Sequence, residues 1–199
     1  MSSDFNSNDR NSIRQFMRQQ RNAISDQQQL EAAKRLSQQI LSQPWYQRAN
    51  NIGVYLANDG EIDPIVFATK ALYRNKACFL PSLHPLKKGQ LWFGDYQGPM
   101  TNNKFGIAEP DPKRNNMITA KQLDVVFMPL VAFDHQGGRL GMGGGFYDRT
   151  FEFLKQSQNQ KPKLIGLAHH FQQVHKLPIE SWDIPLSTII TDKGIIQVA

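Results

Sequence analysis

Apolar residues recur along this chain with two periods, and the places where the period changes divide it into elements. Ile13, Phe16, Met17 and Ile24 share one side of an amphipathic segment, which predicts a first helix over about Asp9 to Asn22. Ser25 can cap a second helix, whose Leu30, Ala33, Leu36, Ile40 and Leu41 keep helical spacing up to Pro44. The period then shortens. Ile52 to Leu56 reads as a strand, Ala57 to Glu61 as a polar turn, and Pro64 to about Arg74 as a helix, together a βα unit. Ala77 to Leu80 predicts another strand, ended by Pro81. From Ser82 to Lys121 the chain is rich in Pro, Gly, Asn and Lys, and only Leu91-Trp92-Phe93 alternates, so it reads as a hairpin or excursion. Val125 to Met128 is a continuous apolar run and predicts a strand buried on both faces. It leads through Pro129 to Phe133 into a glycine-dense loop and then a helix from Phe146 to about Gln156. Leu164 to Ala168, Thr188 to Thr191 and Ile195 to Val198 complete the expected strands.

This alternation predicts an α/β fold: a single-domain, open, three-layer, mostly parallel, Rossmann-like sheet with helices on both faces. It would occupy residues 10–199 behind a disordered Ser/Asn/Asp-rich tail at 1–9. In such sheets ligands collect beyond the carboxyl ends of the strands. The turn that carries Glu61 and the glycine loop should therefore share one edge.

Composition narrows the class. In 199 residues there is no apolar run of membrane-spanning length and no charged-then-apolar leader, so a cytoplasmic chain without a membrane partner is expected. The single cysteine, Cys78, lies in a strand-like run and reads as a buried, inert thiol. A net charge of +6 favours anionic ligands and permits nucleic acid. Arg10, Arg14, Arg18 and Arg21 would project within about 80° of one another on a helix. Either a solvated basic face or an RNA-binding arm has that pattern. Nothing resembles an RRM aromatic pair or a KH loop, so no nucleic-acid partner is expected.

The run Gly137-Gly138-Arg139-Leu140-Gly141-Met142-Gly143-Gly144-Gly145-Phe146-Tyr147-Asp148-Arg149 is the main candidate for chemistry. Backbone without Cβ atoms can turn tightly and approach a ligand, and converging N–H groups ahead of a helix suit phosphate. Arg139, Asp148 and Arg149 flank it, which suits a metal-bridged polyphosphate such as ATP. It is not a dinucleotide fingerprint, because the third glycine position is Phe146, nor a Walker loop, because no lysine lies between Arg139 and Lys155. A glycine-rich turn without a ligand is the plainer alternative. The histidines have no zinc-motif spacing, His169-His170 reads as structural or exposed, and Asp183 fits a turn cap as readily as a ligand.

These residues resemble the 5-formyltetrahydrofolate cyclo-ligase family, also called 5,10-methenyltetrahydrofolate synthetases. The likeness rests on the glycine segment preceded by Pro129-Leu130-Val131-Ala132-Phe133-Asp134 and on Arg10-x3-Arg14. It also rests on Tyr55-Leu56 with Gly60-Glu61-Ile62-Asp63, on Phe105-Gly106-Ile107-Ala108-Glu109-Pro110, and on Gln172 through Leu177-Pro178 to Asp183. The resemblance implies ATP- and magnesium-dependent conversion of 5-formyltetrahydrofolate to 5,10-methenyltetrahydrofolate. It implies ATP contacts at Arg10, Arg14, Arg139, Gly141, Met142, Gly143, Gly144, Gly145, Phe146 and Tyr147, with Arg139 and Tyr147 catalytic. Folate contacts fall on Leu56, Glu61 and Met142 to Phe146, and magnesium ligands on Asp148 and Asp183. Arg10 stands where lysine is common in the family, and Phe146 where tyrosine is common. A monomer is expected. A basic RNA-binding module, or a sugar-phosphate or coenzyme A enzyme on a similar sheet, would use only part of this equipment.

Overall fold

The computed structural model describes residues 9–155 and 161–198; residues 1–8 of the tail expected at 1–9 and the expected helix end at Gln156 lie outside them. Seven strands form one sheet in the order β7-β6-β5-β4-β1-β2-β3. They are β1 (Asn51–Gly53), β2 (Ala77–Leu83), β3 (Leu91–Asp95), β4 (Val125–Pro129), β5 (Lys163–Ala168), β6 (Thr188–Thr191) and β7 (Ile195–Gln197). The five central strands are parallel, and antiparallel β3 and β7 close the two edges.

The helices arise where the sequence placed them. Asp9 caps α1 (Arg10–Asn22) through the backbone N–H groups of Asn11 and Ser12. Ser25 and Gln28 form a reciprocal capping box on α2 (Asp26–Leu41). Pro44 then opens a short helix, α3 (Pro44–Arg48), which apolar spacing alone does not reveal. With α4 (Ile65–Tyr73), α2 and α3 cover one face, where Leu36, Ile40, Tyr46 and Phe67 pack on Ile52, Val125, Phe127 and Ile165, while Ile13 and Met17 of α1 pack on Val131, Ala132, Leu140 and Leu177. The alternate side chains of β4, Val126 and Met128, point to the other face and meet Phe93, Leu123 and Phe151. That face is covered more thinly, by α5 (Phe146–Phe151) and short 3₁₀ turns. The expected long helix after the glycine loop is thus six α-helical residues followed by a 3₁₀ stretch, Glu152–Lys155.

Two strand boundaries differ from the sequence expectation. The ladder of β1 ends at Gly53, and Val54 to Leu56 continue only as extended chain, with the Val54 N–H donating to the Phe79 carbonyl (2.8 Å). By contrast β2 runs through Pro81 to Leu83. Its pairing with β1 stops at Phe79, while β3 goes on pairing with it as far as Leu83. Beyond Phe79 the strand has a partner on one side only, and there proline's missing N–H costs no ladder bond. The region 82–121 supplies β3 and a two-stranded ribbon, Met100–Asn102 with Ala108–Pro110.

Candidate active site

The chain leaves β1 toward β2 on one side, whereas β4 lies on its other side, so the strand order reverses between β1 and β4. A crevice opens at the carboxyl ends of strands at such a switch point. After β1 the chain turns at Asp59 (φ 51°) and Gly60 (φ 70°), both in the left-handed region. Gly60 presses on α1: a Cβ there would lie 2.8 Å from the Arg21 carbonyl carbon. After β4 comes a tight hairpin, Ala132–Phe133 against Arg139–Leu140, whose turn is tied by Asp134 to the N–H groups of Gln136 and Gly138 (both 2.9 Å). This hairpin, not expected from the sequence, delivers Arg139 and the glycine loop to the crevice.

Between the two loops lies a cavity of about 890 Å³. Arg10, Arg14, Leu56, Glu61, Arg139, Gly141 to Asp148 and Asp183 all line it, so the residues that the resemblance assigns to ATP, folate and magnesium converge there. It is large for one small ligand and ample for two held side by side.

Of the arginine stripe of α1, Arg10 and Arg14 face the cavity and Arg21 is buried, while Arg18 stays exposed. Arg10 donates to both oxygens of Asp183 (2.9 and 3.2 Å), and Arg14 Nε to the Gly141 carbonyl (2.9 Å). Arg18 and Arg21 both hold Asp59 (2.6 and 2.7 Å), and Arg21 is buried. Of the alternatives left open by the sequence, a wholly solvated basic face does not describe this stripe: contacts to Asp183, the Gly141 carbonyl and Asp59 engage all four arginines.

In the glycine loop, Gly143 (φ 94°) and Gly145 (φ 62°) adopt conformations that disfavour a side chain. Gly145 is also the N-cap of α5. Arg149 folds back to the Gly144 carbonyl and reaches the Gly89 carbonyl (3.0 Å), pinning the loop from outside. Among the described residues, no hydrogen bond is donated by the backbone N–H groups of Met142 to Gly145. Those donors stay free for an anion.

The acidic groups fall into two sets. Asp148 accepts from buried Arg139 and from the Ile184 N–H (3.1 Å); Asp183 accepts from Arg10 and, as a turn cap, from the Glu180 N–H (2.9 Å). The turn-cap reading of Asp183 is thus observed. Glu61 is as little exposed as these two, but among the described residues no cation approaches it closer than Arg21 at 3.9 Å. Burial pushes its carboxyl up to about 7, against the opposing pull of the Asn58 N–H (3.2 Å) and of Arg21 (3.9 Å). The Tyr147 phenol is raised well above its ordinary value, mainly by desolvation and then by Glu61. It therefore stays protonated at neutral pH and can donate a hydrogen bond but not act as a base.

Elsewhere the plainer readings hold. Cys78 is buried, with a thiol pushed up to about 12 by desolvation, and His169 is buried outside the cavity lining. Sequence reasoning did not single out as site residues Asp59, Phe105, Arg149 and Trp182, all of which line the cavity. Phe105 meets Phe146 edge-on (centroids 6.1 Å apart). Signals were present: Phe105 and Trp182 adjoin quoted motifs, and Arg149 flanks the glycines.

A model of the 5-formyltetrahydrofolate cyclo-ligase family matches residues 6–192. The chain belongs to this family. It is 42 % identical over 187 residues to the 5-formyltetrahydrofolate cyclo-ligase of Haemophilus influenzae, covering 93 % of this chain and 98 % of the relative. The Escherichia coli K12 enzyme of the same name is 40 % identical, with 90 % and 98 % covered. Among solved structures, the 5,10-methenyltetrahydrofolate synthetase of Aquifex aeolicus superposes with a TM-score of 0.79 at 25 % identity, covering 95 % of this chain and 92 % of that one. The Mycoplasma pneumoniae synthetase gives 0.73 at 25 % identity, covering 92 % and 99 %. These two cyclo-ligase relatives are matched over nearly their whole length, and the α/β architecture is shared with the synthetases. Among the described residues no helix is long and apolar enough to cross a membrane.

Proposed function

We propose that this cyclo-ligase family member converts 5-formyltetrahydrofolate to 5,10-methenyltetrahydrofolate with release of ADP and phosphate. The observation that carries the reading is convergence: a glycine loop with free N–H donors, four arginines and a buried carboxylate from a separate loop line one cavity. Arg10, Arg14, Arg139 and the loop Gly141 to Tyr147 supply donors for the nucleotide phosphates. Leu56 and Glu61, with the Met142 to Phe146 wall, receive the folate, and the Glu61 carboxylate accepts from the donor edge of the pterin.

A formamide oxygen is a poor leaving group, and phosphorylation solves that. The formyl oxygen attacks the γ-phosphorus, the bond to the bridging oxygen breaks, and ADP departs. Nitrogen 10 attacks the activated carbon; its proton and the phosphate leave, and the methenyl cation remains. No protein nucleophile is needed, so the residues contribute by positioning and charge. Arg139, almost fully buried, is placed to meet charge that develops on the phosphoryl oxygens, and Tyr147 acts as a neutral donor.

Asp148 and Asp183 fit a magnesium site of a particular kind. Both are hard oxygen ligands on the same cavity, yet the described residues contain no cluster of three or more ligating side chains. Magnesium is commonly held by one or two carboxylates together with substrate phosphates and water. Asp148 and Asp183 would hold it jointly with ATP; once bound, it supplies positive charge against the transferring phosphoryl group. The test is appearance of the methenyl chromophore from 5-formyltetrahydrofolate, ATP and magnesium. Absence of ATP-dependent product would overturn the assignment. A monomer in the cytoplasm is the setting we propose.

A further inference from the structure

Arg21 is a guanidinium with no exposed side-chain surface, and it does not line the cavity. A charge in such a place is tolerated only where partners compensate its lost hydration. Its Nη2 donates to Asp59 (2.7 Å), and its Nη1 lies 3.5 Å from the Leu130 carbonyl, just past β4, and 3.9 Å from Glu61 Oε1. One side chain thus joins α1, the carboxyl end of β4 and the 58–61 turn. That turn is tied down a second time by Gln29 Nε2 on the Gly60 carbonyl (3.0 Å).

We propose that Arg21 is a positioning residue for the folate half of the site: shared between Asp59 and Glu61, it fixes the Glu61 carboxylate at the cavity wall and stabilises its charged form. The inference rests on the folate role given to Glu61 above. Glu61 is surrounded by Arg21 from α1, Asp59 in its own turn, Tyr55 in the extended chain after β1, and Tyr147 from α5. His169, at the end of β5, reaches Gly60 and is held toward its neutral form by burial. Of the charged groups, Arg21 favours ionisation of Glu61 and Asp59 opposes it. Removing each should therefore move Glu61 in opposite directions, which a merely structural role for Arg21 does not require.

The experiment measures kcat and both KM values across the neutral pH range for wild type, Arg21→Met, Arg21→Lys and Asp59→Asn. Asparagine is tolerated at the left-handed φ of position 59. In Arg21→Met the KM for 5-formyltetrahydrofolate should rise about tenfold with little change in that for ATP. The inflection in its pH dependence should move up by about one unit. Arg21→Lys should restore part of both, and Asp59→Asn should move the inflection down. A melting temperature lowered by Arg21→Met with the folate KM and inflection unmoved would overturn the proposal, as would shifts of the same sign in both variants. If Arg21→Met does not fold, the direction of the Asp59→Asn shift decides. An inactive wild type would instead remove the functional reading beneath the proposal, whereas an active wild type with unmoved inflections removes the proposal alone.

Discussion

Replacing Glu61 by glutamine should make the free protein more stable above neutral pH while weakening its grip on folate. The fold raises the Glu61 carboxyl from an ordinary 4.5 to about 7, chiefly through burial. A carboxyl raised on folding favours the protonated state, so the native protein gains nothing from its ionisation. Stability linked to Glu61 is complete below the ordinary carboxyl value and is lost as pH rises through about 7. At about 1.4 kcal/mol per pH unit, that interval amounts to about 3 kcal/mol at pH 8, an upper bound that relaxation around Arg21 reduces. Glutamine has no charge to desolvate. Denaturant titrations at about pH 5 and pH 8 should give similar stabilities for the two proteins at the acid end and a mutant about 1–3 kcal/mol more stable at the alkaline end. Calorimetry on the same samples should give folate binding weakened about tenfold or more, since a buried polar edge left unsatisfied costs about 1–3 kcal/mol. ATP affinity should not change. Equal pH dependence of stability in the two proteins would refute the burial argument, and undiminished folate affinity would refute the site.

Four further outcomes are expected. Gly144→Val should abolish measurable ATP binding in a folded protein, because even a Cβ at Gly144 would stand 2.9 Å from the Phe146 ring; equilibrium nucleotide binding checks it. Asp183→Asn should raise the magnesium concentration needed for half-maximal turnover about tenfold with a loss of stability below about 1 kcal/mol, because Arg10 is partly exposed and the turn cap is kept. Asp148→Asn should cut turnover by orders of magnitude and also destabilise the fold by about 3–5 kcal/mol, since it strips the partner from buried Arg139; thermal melts beside steady-state assays separate the two effects. Cys78 in the native protein should resist thiol reagents at pH 8 and react on unfolding, because its thiol is buried and held up near 12.

Local pattern carried most of the architecture. Helical spacing with Asp9 and Ser25 as caps specified α1 and α2, and the two-faced apolar run at Val125 to Met128 specified a central strand, because both signals depend on neighbours in sequence. The glycines of 143 and 145 announced backbone that a side chain would forbid. What the sequence could not determine is decided by partners far along the chain. The ladder of β1 stops at Gly53 while β2 passes through Pro81, since strand ends depend on which neighbour is present to accept the bonds. The arginine pattern on α1 was equally consistent with solvent, RNA or a ligand. Only the fold brings Asp183, Gly141 and Asp59 within reach of it, so that Arg10 and Arg14 form part of the cavity wall. Glu61 was legible as a carboxylate in a polar turn. Its elevated protonation, and the buried Arg21 that opposes it, come from packing that turn against α1 and the end of β4, where desolvation and charge act through space rather than along the chain.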